Sequence, residues 1–408
     1  MTKLLIVNQP LNNRGDEAAH KALIRTLLKE IVNVEIRVLF VDCYSPDGMR
    51  QFAVKSPQVK YINITSFWWH SQIGPGALRN GRYFLWNIHP TTHDIKKQYK
   101  WADYVICAPG GICMGGFQDW NHLYFLQWAK YCHKPLIYFA RSLGPFPTET
   151  SDNILFKKKS IEMLRYFSFL SIRDLESERI LNELHLSIPY LSTVDTAFLE
   201  TPNVDLPYEL EQLTRGKKYI IFVPNLLLWH YAYKNKGTKE QLIDFYTKII
   251  KITLESHSDC SILMLPQTFD NTNEDENDIN FFREIANKVN DQRVMIIADC
   301  YSSDIQQTLI KGTCFLIGAR YHSIVFAINQ GIPFIALNYE HKMEGLLNKL
   351  NLSNCGISLK NIFRDADSLL ENFKEKIINI NKTCYMNYTL AKDVSYSNFE
   401  IMKKKFNL

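Results

Sequence analysis

The chain has 408 residues, of which 46% are hydrophobic and 22% charged, and its formal net charge is +5. The length predicts two domains, and the small net charge without a dense Lys/Arg stripe argues against a nucleic-acid-binding protein. Nine cysteines without a Cys-x-x-Cys pair argue against a zinc module and against a disulfide framework.

The N-terminal apolar run is too short for a signal peptide, and no run approaches the ~20 apolar residues of a membrane span. We therefore expect a protein of the reducing cytoplasm, with at most peripheral contact to the inner face of a membrane. The lysine clusters at 157–159 and 403–405 are interpreted as solvated helix faces.

Short apolar runs alternate with helical periodicity through the first half of the chain. Strands are predicted over 3–8, 34–41, 104–108, 136–140, 168–172 and 190–194, and helices over 16–31, 118–132 and 176–184. Such alternation is typical of a parallel sheet with helices on both faces.

The segment 65–103 interrupts this alternation with many aromatic residues, among them Trp68 and Trp86. Two interpretations are open. The segment packs into the core, or it is a loop whose aromatic rings stack on the rings of a sugar.

Residues 200–218 contain two prolines and no apolar period, which predicts a domain boundary. After it, strands are predicted over 219–223, 261–265, 294–297 and 314–317, and helices over 239–255, 278–289, 302–310, 366–378 and 394–404. The sequence thus predicts an α/β protein of two doubly wound Rossmann-like domains that face a cleft. The first spans 1–205 and the second 206–360, followed by C-terminal helices over 361–408 for which a return to the first domain is one arrangement.

Polar and small residues follow several predicted strands, at the sheet edge where open parallel sheets bind ligands. Gly110 and Gly111 in "CAPGGICMGG" would let a ligand approach backbone amides, although the Walker and dinucleotide patterns are both lacking. Ser142 follows the next strand. Arg173, at the end of another strand, either binds an anion or pairs with a carboxylate.

Arg320 and His322 lie where the strand 314–317 gives way to a helix, whose N-terminus favours anions. An anionic substrate would explain both residues, whereas a hydrogen-bonded core histidine is the alternative for His322. Asp16, after the first strand in "NNRGDEAAH", either caps the helix or faces the ligand.

The chain resembles the polysaccharide pyruvyl transferase family over about residues 1–350. The matching motifs are "GDEA", "APGG", "SLGPF", "IRDLES", "VDTAF" and, most specifically, "GARYHSIVFAINQGIPFIALNYEHKMEG". One departure is Arg141, where the family pattern has a glutamine. The resemblance implies a GT-B-like fold and transfer of pyruvate from phosphoenolpyruvate onto two hydroxyls of a sugar, which forms a cyclic ketal and releases phosphate.

The resemblance also implies roles for individual residues. His322 is expected to act as general acid and Asp16 as the base for the acceptor hydroxyl. The residues expected to bind phosphoenolpyruvate are Arg320, Arg173, Gly110, Gly111, Ser142 and Lys342, and Trp68 and Trp86 are expected to bind the acceptor. No cofactor or metal is expected, since the chemistry requires none. The partners would be phosphoenolpyruvate and a sugar acceptor, with a lipid-linked oligosaccharide among those that fit.

Two alternatives come from other classes of protein. One is a GT-B glycosyltransferase with a nucleotide-sugar donor, because a fold does not fix a function. The other is a catalytically inactive member that binds glycans. The sequence does not identify the acceptor sugar or the pair of hydroxyls that the ketal would bridge.

Overall fold

A computed structural model describes residues 1–9, 13–41, 53–64, 69–111, 114–230, 232–269, 277–380 and 388–408. The first of two compact units comprises Met1–Leu11, Ala19–Leu199 and Asp393–Leu408, and the second comprises Asn12–Ala18 and Glu200–Lys392. The chain passes from the first unit to the second at the start of the segment that the sequence predicts as a linker.

The first unit contains a parallel sheet. Its strands are β1 Thr2–Val7, β2 Val34–Val41, β3 Val59–Ile64, β4 Tyr104–Cys107, β5 Leu136–Arg141, β6 Phe169–Ile172 and β7 Leu191–Ser192. They are ordered β3-β2-β1-β4-β5-β6-β7, and all their pairings are parallel. The central strands β4 and β5 are apolar as far as Arg141, and nearly all of their residues are buried, as expected of strands covered by helices on both faces.

Helices connect these strands. They are α1 Arg14–Glu30, α2 Gly74–Arg79, α3 Pro90–Trp101, α4 Trp120–Tyr131, α5 Ser151–Leu164 and α6 Leu175–Glu183. Aspartate caps fix two of the starts: Asp119 accepts hydrogen bonds from the first turn of α4, and Asp174 accepts one from the Ser177 amide in α6. The first turn of α1 belongs to the second unit and the rest of α1 to the first.

The second unit repeats the same plan. Its strands are β8 Tyr219–Val223, β9 Ser261–Met264, β10 Val294–Ile296, β11 Leu316–Gly318, β12 Phe334–Asn338 and β13 Gly356–Ser358, in the order β10-β9-β8-β11-β12-β13. Its helices are α7 Tyr208–Thr214, α8 Lys239–Ser256, α9 Asp278–Val289, α10 Ser303–Lys311, α11 Tyr321–Gln330, α12 His341–Lys349 and α13 Ala366–Ile378, and the chain closes with α14 Tyr388–Phe406. The predicted pair of doubly wound parallel sheets is confirmed.

Each sheet has one point where the strand order reverses. In the first unit β1 and β4 are neighbours, and in the second unit β8 and β11 are neighbours. The connections leave these two strands toward opposite sides, which opens a crevice at their carboxyl ends. Gly110 follows β4, and Arg320 follows β11.

The aromatic segment is folded into the first unit from residue 69 onward. Trp86, on the 3₁₀ turn Tyr83–Asn87, is 1% exposed, stacks on Trp128 at 4.8 Å between ring centroids, and meets Tyr124 edge-on at 5.2 Å. A ring enclosed in this way has no face to offer a sugar, so the geometry supports the packing interpretation at Trp86 and not the stacking one. Trp68 lies outside the described residues.

Several described elements were not predicted from the sequence, namely the strands β3 and β13 and the helices α2, α3, α5, α7 and α12. The edge strand β3 mixes exposed and buried positions without strict alternation, and β13 has only three residues. Among the described helices, none combines the length and the apolarity that a membrane crossing requires.

Candidate functional site

Arg320 is the residue that precedes α11, two positions beyond the end of β11. Its guanidinium forms an ion pair with Asp278 at the start of α9, and its Nη2 donates to Thr268 Oγ1 at 3.0 Å. The side chain is 12% exposed, and Nε has no hydrogen-bond partner within the described ranges. Asp278 and Thr268 therefore fix one end of the guanidinium, and Nε is an enclosed donor whose hydrogen bond the described residues do not satisfy.

Asp278 is itself held by the backbone. Its Oδ2 accepts hydrogen bonds from the amides of Gln267 and Thr268, at 2.9 and 3.1 Å. Arg320 is thus fixed to the loop that follows β9 as well as to α9. This chain of contacts orients the guanidinium.

His322 lies in the first turn of α11, half-buried, with its ring edge-on to Tyr321 at 5.0 Å between centroids. On another side it contacts the backbone of Gly15. A Cβ atom added to Gly15 would lie 1.9 Å from both Cγ and Nδ1 of His322. Any larger residue at position 15 would therefore clash with the imidazole. The Nε2 edge of the ring faces away from Gly15.

The segment that carries Gly15 is attached to the second unit by its own hydrogen bonds. Asn13 and Thr268 form an isolated antiparallel β-bridge, and the Arg14 amide donates to the Gln267 carbonyl at 3.0 Å. Asn13 Oδ1 accepts from the amides of Gly15 at 2.7 Å and of Asp16 at 3.4 Å. Asn13 is therefore the cap of α1, and the carboxylate of Asp16, in the same first turn, is not needed for that role.

Arg14 and Glu17 form a buried ion pair that sequence reasoning missed. Arg14 Nη1 lies 2.7 Å from Glu17 Oε2, and both side chains are almost fully enclosed. Glu17 Oε1 also accepts from the amide and the hydroxyl of Ser303, both at 3.1 Å, which caps α10. Two opposite charges three residues apart at a helix start were the available signal, but the partner on α10 could not be read from the sequence.

A second cluster of charges follows β12. Lys342 Nζ lies 3.3 Å from Glu340 Oε2, and His230 Nε2 lies 3.8 Å from the same oxygen. Burial raises the pKa of Glu340, but the nearby Lys342, His230 and His341 together hold that pKa below its ordinary value. Glu340 is thus a carboxylate that balances the charge of Lys342, the residue predicted to contact phosphoenolpyruvate.

The remaining predicted residues lie in the first unit. Arg173 forms an ion pair with Asp195, and its Nε donates to Ser142 Oγ at 3.0 Å, with all three side chains buried. Of the two roles open for Arg173, the structure shows the carboxylate pair. A direct contact of Arg173 or Ser142 with substrate remains a prediction.

Gly110 and Gly111 form the turn after β4. Gly110 has φ 147°, a conformation that favours glycine, and it pairs with Arg141 in a parallel bridge. A Cβ on Gly111 would meet no atom within 4 Å, so the space beside it is open. Arg141, at the position that departs from the family pattern, is buried and donates to the carbonyl of Ala108 under this turn.

Within the described ranges, no group of three or more His, Cys, Asp or Glu side chains has the geometry of a metal site. The second unit holds two groups of predicted residues: Arg320 and His322 beside the Gly15 turn, and the Glu340–Lys342 pair. The structure brings Arg320 and His322 together with the segment of Asp16.

The chain is similar to several known proteins. It is 24% identical to the amylovoran biosynthesis protein AmsJ of Erwinia amylovora. The alignment covers 92% of this chain and 93% of that protein. Among solved structures, UDP-GlcNAc 2-epimerase from Methanocaldococcus jannaschii matches with a TM-score of 0.60 and 11% identity over 99% of both chains. UDP-GlcNAc 2-epimerase from Neisseria meningitidis, bound to UDP-GlcNAc, matches with a TM-score of 0.58 and 12% identity over 99% of this chain and all of that one.

These likenesses confirm the predicted GT-B-like fold class. The model of the family described as polysaccharide pyruvyl transferase matches residues 13–341, which include Asp16, Arg320 and His322. Together with the motif resemblance in the sequence, this match shows that the chain belongs to the polysaccharide pyruvyl transferase family.

Proposed function

We propose that this enzyme transfers the pyruvyl group of phosphoenolpyruvate to two hydroxyls of one sugar, which forms a cyclic ketal and releases inorganic phosphate. The observation that carries the proposal is the placement of Arg320 beside His322 at the start of α11. Asp278 and Thr268 orient the guanidinium, whose Nε is an enclosed donor without a partner among the described residues and whose side chain is 12% exposed. A planar fork of donors suits a carboxylate or a phosphate, and phosphoenolpyruvate has both.

His322 is proposed to donate a proton to the methylene carbon of phosphoenolpyruvate. An imidazole has an ordinary pKa near neutrality, which suits a general acid. Protonation of the methylene leaves C2 electron-poor, and the oxygen of the first sugar hydroxyl then bonds to C2. Asp16, in the turn that contacts His322, is proposed to accept the proton of that hydroxyl.

The second hydroxyl then bonds to C2 while the bond between C2 and the phosphate oxygen breaks, and the electron pair leaves with the phosphate. Of the two protons lost by the hydroxyls, one restores His322 and the other leaves on phosphate. Arg320 and Lys342 are proposed to stabilise the charge of the departing phosphate. The reaction as written needs no cofactor and no metal.

The remaining residues are proposed to support the same reaction. The Gly110–Gly111 turn would offer backbone amides to substrate, and the Arg173–Ser142 pair would support the strand ends near it. The relative from Erwinia amylovora is named for amylovoran biosynthesis, which favours a surface-polysaccharide precursor as the acceptor. We propose that the transfer takes place in the cytoplasm, where the precursor is still linked to its carrier.

A thermal-shift measurement tests the proposal. A ligand that binds the folded chain alone stabilises it by RT ln(1 + [L]/Kd), about 2.7 kcal/mol at a hundredfold excess over Kd. Phosphoenolpyruvate should raise Tm with EDTA present, because Arg320 and not a metal holds it. Candidate acceptors should then release phosphate and gain the mass of one pyruvyl ketal.

Two results would overturn the proposal. The first is a Tm that responds to a nucleotide sugar, with turnover to free nucleotide, and not to phosphoenolpyruvate; this is the result expected of a GT-B glycosyltransferase. The second is binding of glycans with no turnover of either donor, which is expected of an inactive member. Arg320→Ala measured in parallel should lose the shift if the binding occurs at the proposed site.

A further inference from the structure

Two large apolar side chains project into solvent from one short turn of the first unit. Phe84 lies in the 3₁₀ turn Tyr83–Asn87 and Ile88 directly follows it, and each is 64% exposed. We call residues 82–88 the apolar turn. Exposed apolar residues that lie close together are typical of a surface that contacts another molecule.

The apolar turn is anchored to the core of the first unit. Trp86, between the two exposed residues, is buried against Trp128, and its Nε1 donates to the Gly74 carbonyl at 3.2 Å. Tyr83 packs edge-on against Trp86 at 5.2 Å. With Trp86 and Tyr83 fixed, Phe84 and Ile88 cannot turn inward together without dismantling this packing.

Basic side chains surround the apolar turn. Lys159 Nζ donates to Tyr83 Oη and Lys96 Nζ to Asn87 Oδ1, both at 3.3 Å. Arg82 and Lys97 are exposed. Residues 79–100 contain five Arg or Lys and a single acidic residue, Asp94.

Two acidic side chains of α5 reduce this positive charge without cancelling it. Asp152 pairs with Arg79 at 2.6 Å, and Glu162 pairs with Lys159 at 3.2 Å. Neither pair involves Arg82, Lys96 or Lys97. The charge beside the apolar turn is therefore positive. The surface therefore combines apolar tips with an excess of cations.

We propose that the apolar turn is a docking site for an anionic lipid bilayer, in which Phe84 and Ile88 enter the interface and Arg82, Lys96 and Lys97 contact headgroups. Apolar tips with flanking cations are the chemistry of interfacial membrane binding. A second copy of this chain fits less well, because a symmetric contact would place the same positive charges opposite one another. The proposal is independent of the reaction, although it would bring the enzyme to a lipid-linked acceptor.

Vesicle flotation with the full chain tests the proposal. Vesicles of phosphatidylcholine with phosphatidylglycerol should bind the chain, and vesicles of phosphatidylcholine alone should not. Binding should fall as salt rises from 0.1 to 1 M, because the screening length shrinks from about 10 to about 3 Å. Phe84→Ser/Ile88→Ser should weaken binding by roughly tenfold or more, since both apolar contacts are removed.

Two control variants separate this proposal from a general effect. Val32→Ser removes an apolar side chain that is 85% exposed in the same unit, and it should bind vesicles like the wild type. Arg82→Gln/Lys97→Gln should lose the salt-sensitive part of the binding and keep the Tm. Wild-type chain that ignores anionic vesicles at low salt, or a double serine variant that binds as well as the wild type, would overturn the proposal. So would light scattering that shows a wild-type dimer and a monomeric double serine variant, because the turn would then be a self-interface.

Discussion

Gly15 and His322 are in direct contact, with the backbone of one against the imidazole of the other. A Cβ atom on Gly15 would lie 1.9 Å from Nδ1 of His322, far closer than two non-bonded atoms can approach. Asn13 fixes the position of Gly15 by accepting its amide hydrogen bond at 2.7 Å. The imidazole of the proposed general acid can therefore take its position only because residue 15, far away in the sequence, has no side chain.

Gly15→Ala should reduce turnover more than it reduces stability. The added methyl must displace the imidazole, and a displacement of about 1 Å in a catalytic group can cost on the order of a hundredfold in rate. We expect kcat, measured as phosphate release, to fall at least about tenfold while Tm changes by a few degrees.

Gly76→Ala is the matched control for this substitution. Gly76 lies in α2, and a Cβ there would meet no atom within 4 Å. Its turnover should equal that of the wild type. Equal turnover of Gly15→Ala and Gly76→Ala would mean that the position of His322 does not matter for the reaction.

His322→Gln should lose roughly a hundredfold or more in turnover, in line with the contribution of a general acid. Glutamine keeps a polar side chain of similar reach but cannot deliver a proton near neutral pH. The binding of phosphoenolpyruvate, followed by thermal shift, should weaken far less than turnover. Near-normal phosphate release would make His322 a structural residue of α11.

The sequence was sufficient to predict the alternation of strands with helices and the position of Arg320 and His322 between a strand and a helix. Both depend on local signals: apolar runs of strand length, and polar residues directly after them. Arg320 directly precedes α11, as the strand-to-helix change predicts, and Gly331 follows the helix in a left-handed conformation.

The sequence was not sufficient to predict which charges are paired. Asp278 lies 42 residues from Arg320, and Ser303 lies 286 residues from Glu17. Such pairs form when distant elements meet in the folded sheet, and single-residue patterns do not encode them. The same reason applies to Trp86. The aromatic composition of segment 65–103 suits a core and a sugar-binding surface equally, and only the contacts of Trp86 with Trp128 and Tyr124 show that it is part of the core.

Arg320→Lys and Asp278→Asn should separate the binding role of Arg320 from its structural role. Lysine keeps the charge but has no planar fork, so it cannot hold Asp278 and Thr268 and also face an anion. We expect Arg320→Lys to bind phosphoenolpyruvate at least about tenfold more weakly. Asp278→Asn removes the partner of a largely buried guanidinium and should lower the free energy of unfolding by about 3 kcal/mol or more.

Urea unfolding and thermal shift, measured on both variants, distinguish the two roles. Arg320→Lys should have the higher free energy of unfolding of the two variants. Its main defect should be weaker binding of phosphoenolpyruvate. An Arg320→Lys variant that loses stability but binds phosphoenolpyruvate like the wild type would assign the arginine to structure alone.

The stability of the first unit should fall as pH drops below about 6.5. Burial lowers the pKa of His70 to about 4 and that of His20 to about 3, from an ordinary 6.5. Between 6.5 and those values the unfolded chain binds protons that the folded chain excludes, so acid favours unfolding. By pH 5 each histidine should cost about 2 kcal/mol.

His70→Gln isolates one of these contributions. Glutamine can still bond the Tyr124 hydroxyl, which lies 3.2 Å from His70 Nδ1, but it does not titrate. The urea midpoint of this variant should therefore fall less between pH 7 and pH 5 than that of the wild type. If the urea midpoints of the two proteins fell equally with pH, His70 would bind a proton as readily in the folded chain as in the unfolded chain, which would contradict the prediction.

Trp86 supplies the last prediction, because the two interpretations of the aromatic segment give opposite results there. Trp86→Ala leaves a large cavity between Trp128 and Tyr124 and should cost about 3–5 kcal/mol of stability, measured by urea unfolding. Trp86→Phe keeps an aromatic ring in the same space, so it should fold and retain most of that stability. Its KM for the acceptor and its KM for phosphoenolpyruvate should both match the wild type, since the ring at this position is 1% exposed. A Trp86→Phe variant with native stability and a severalfold higher KM for the acceptor alone would instead mean that the segment opens to stack on the sugar.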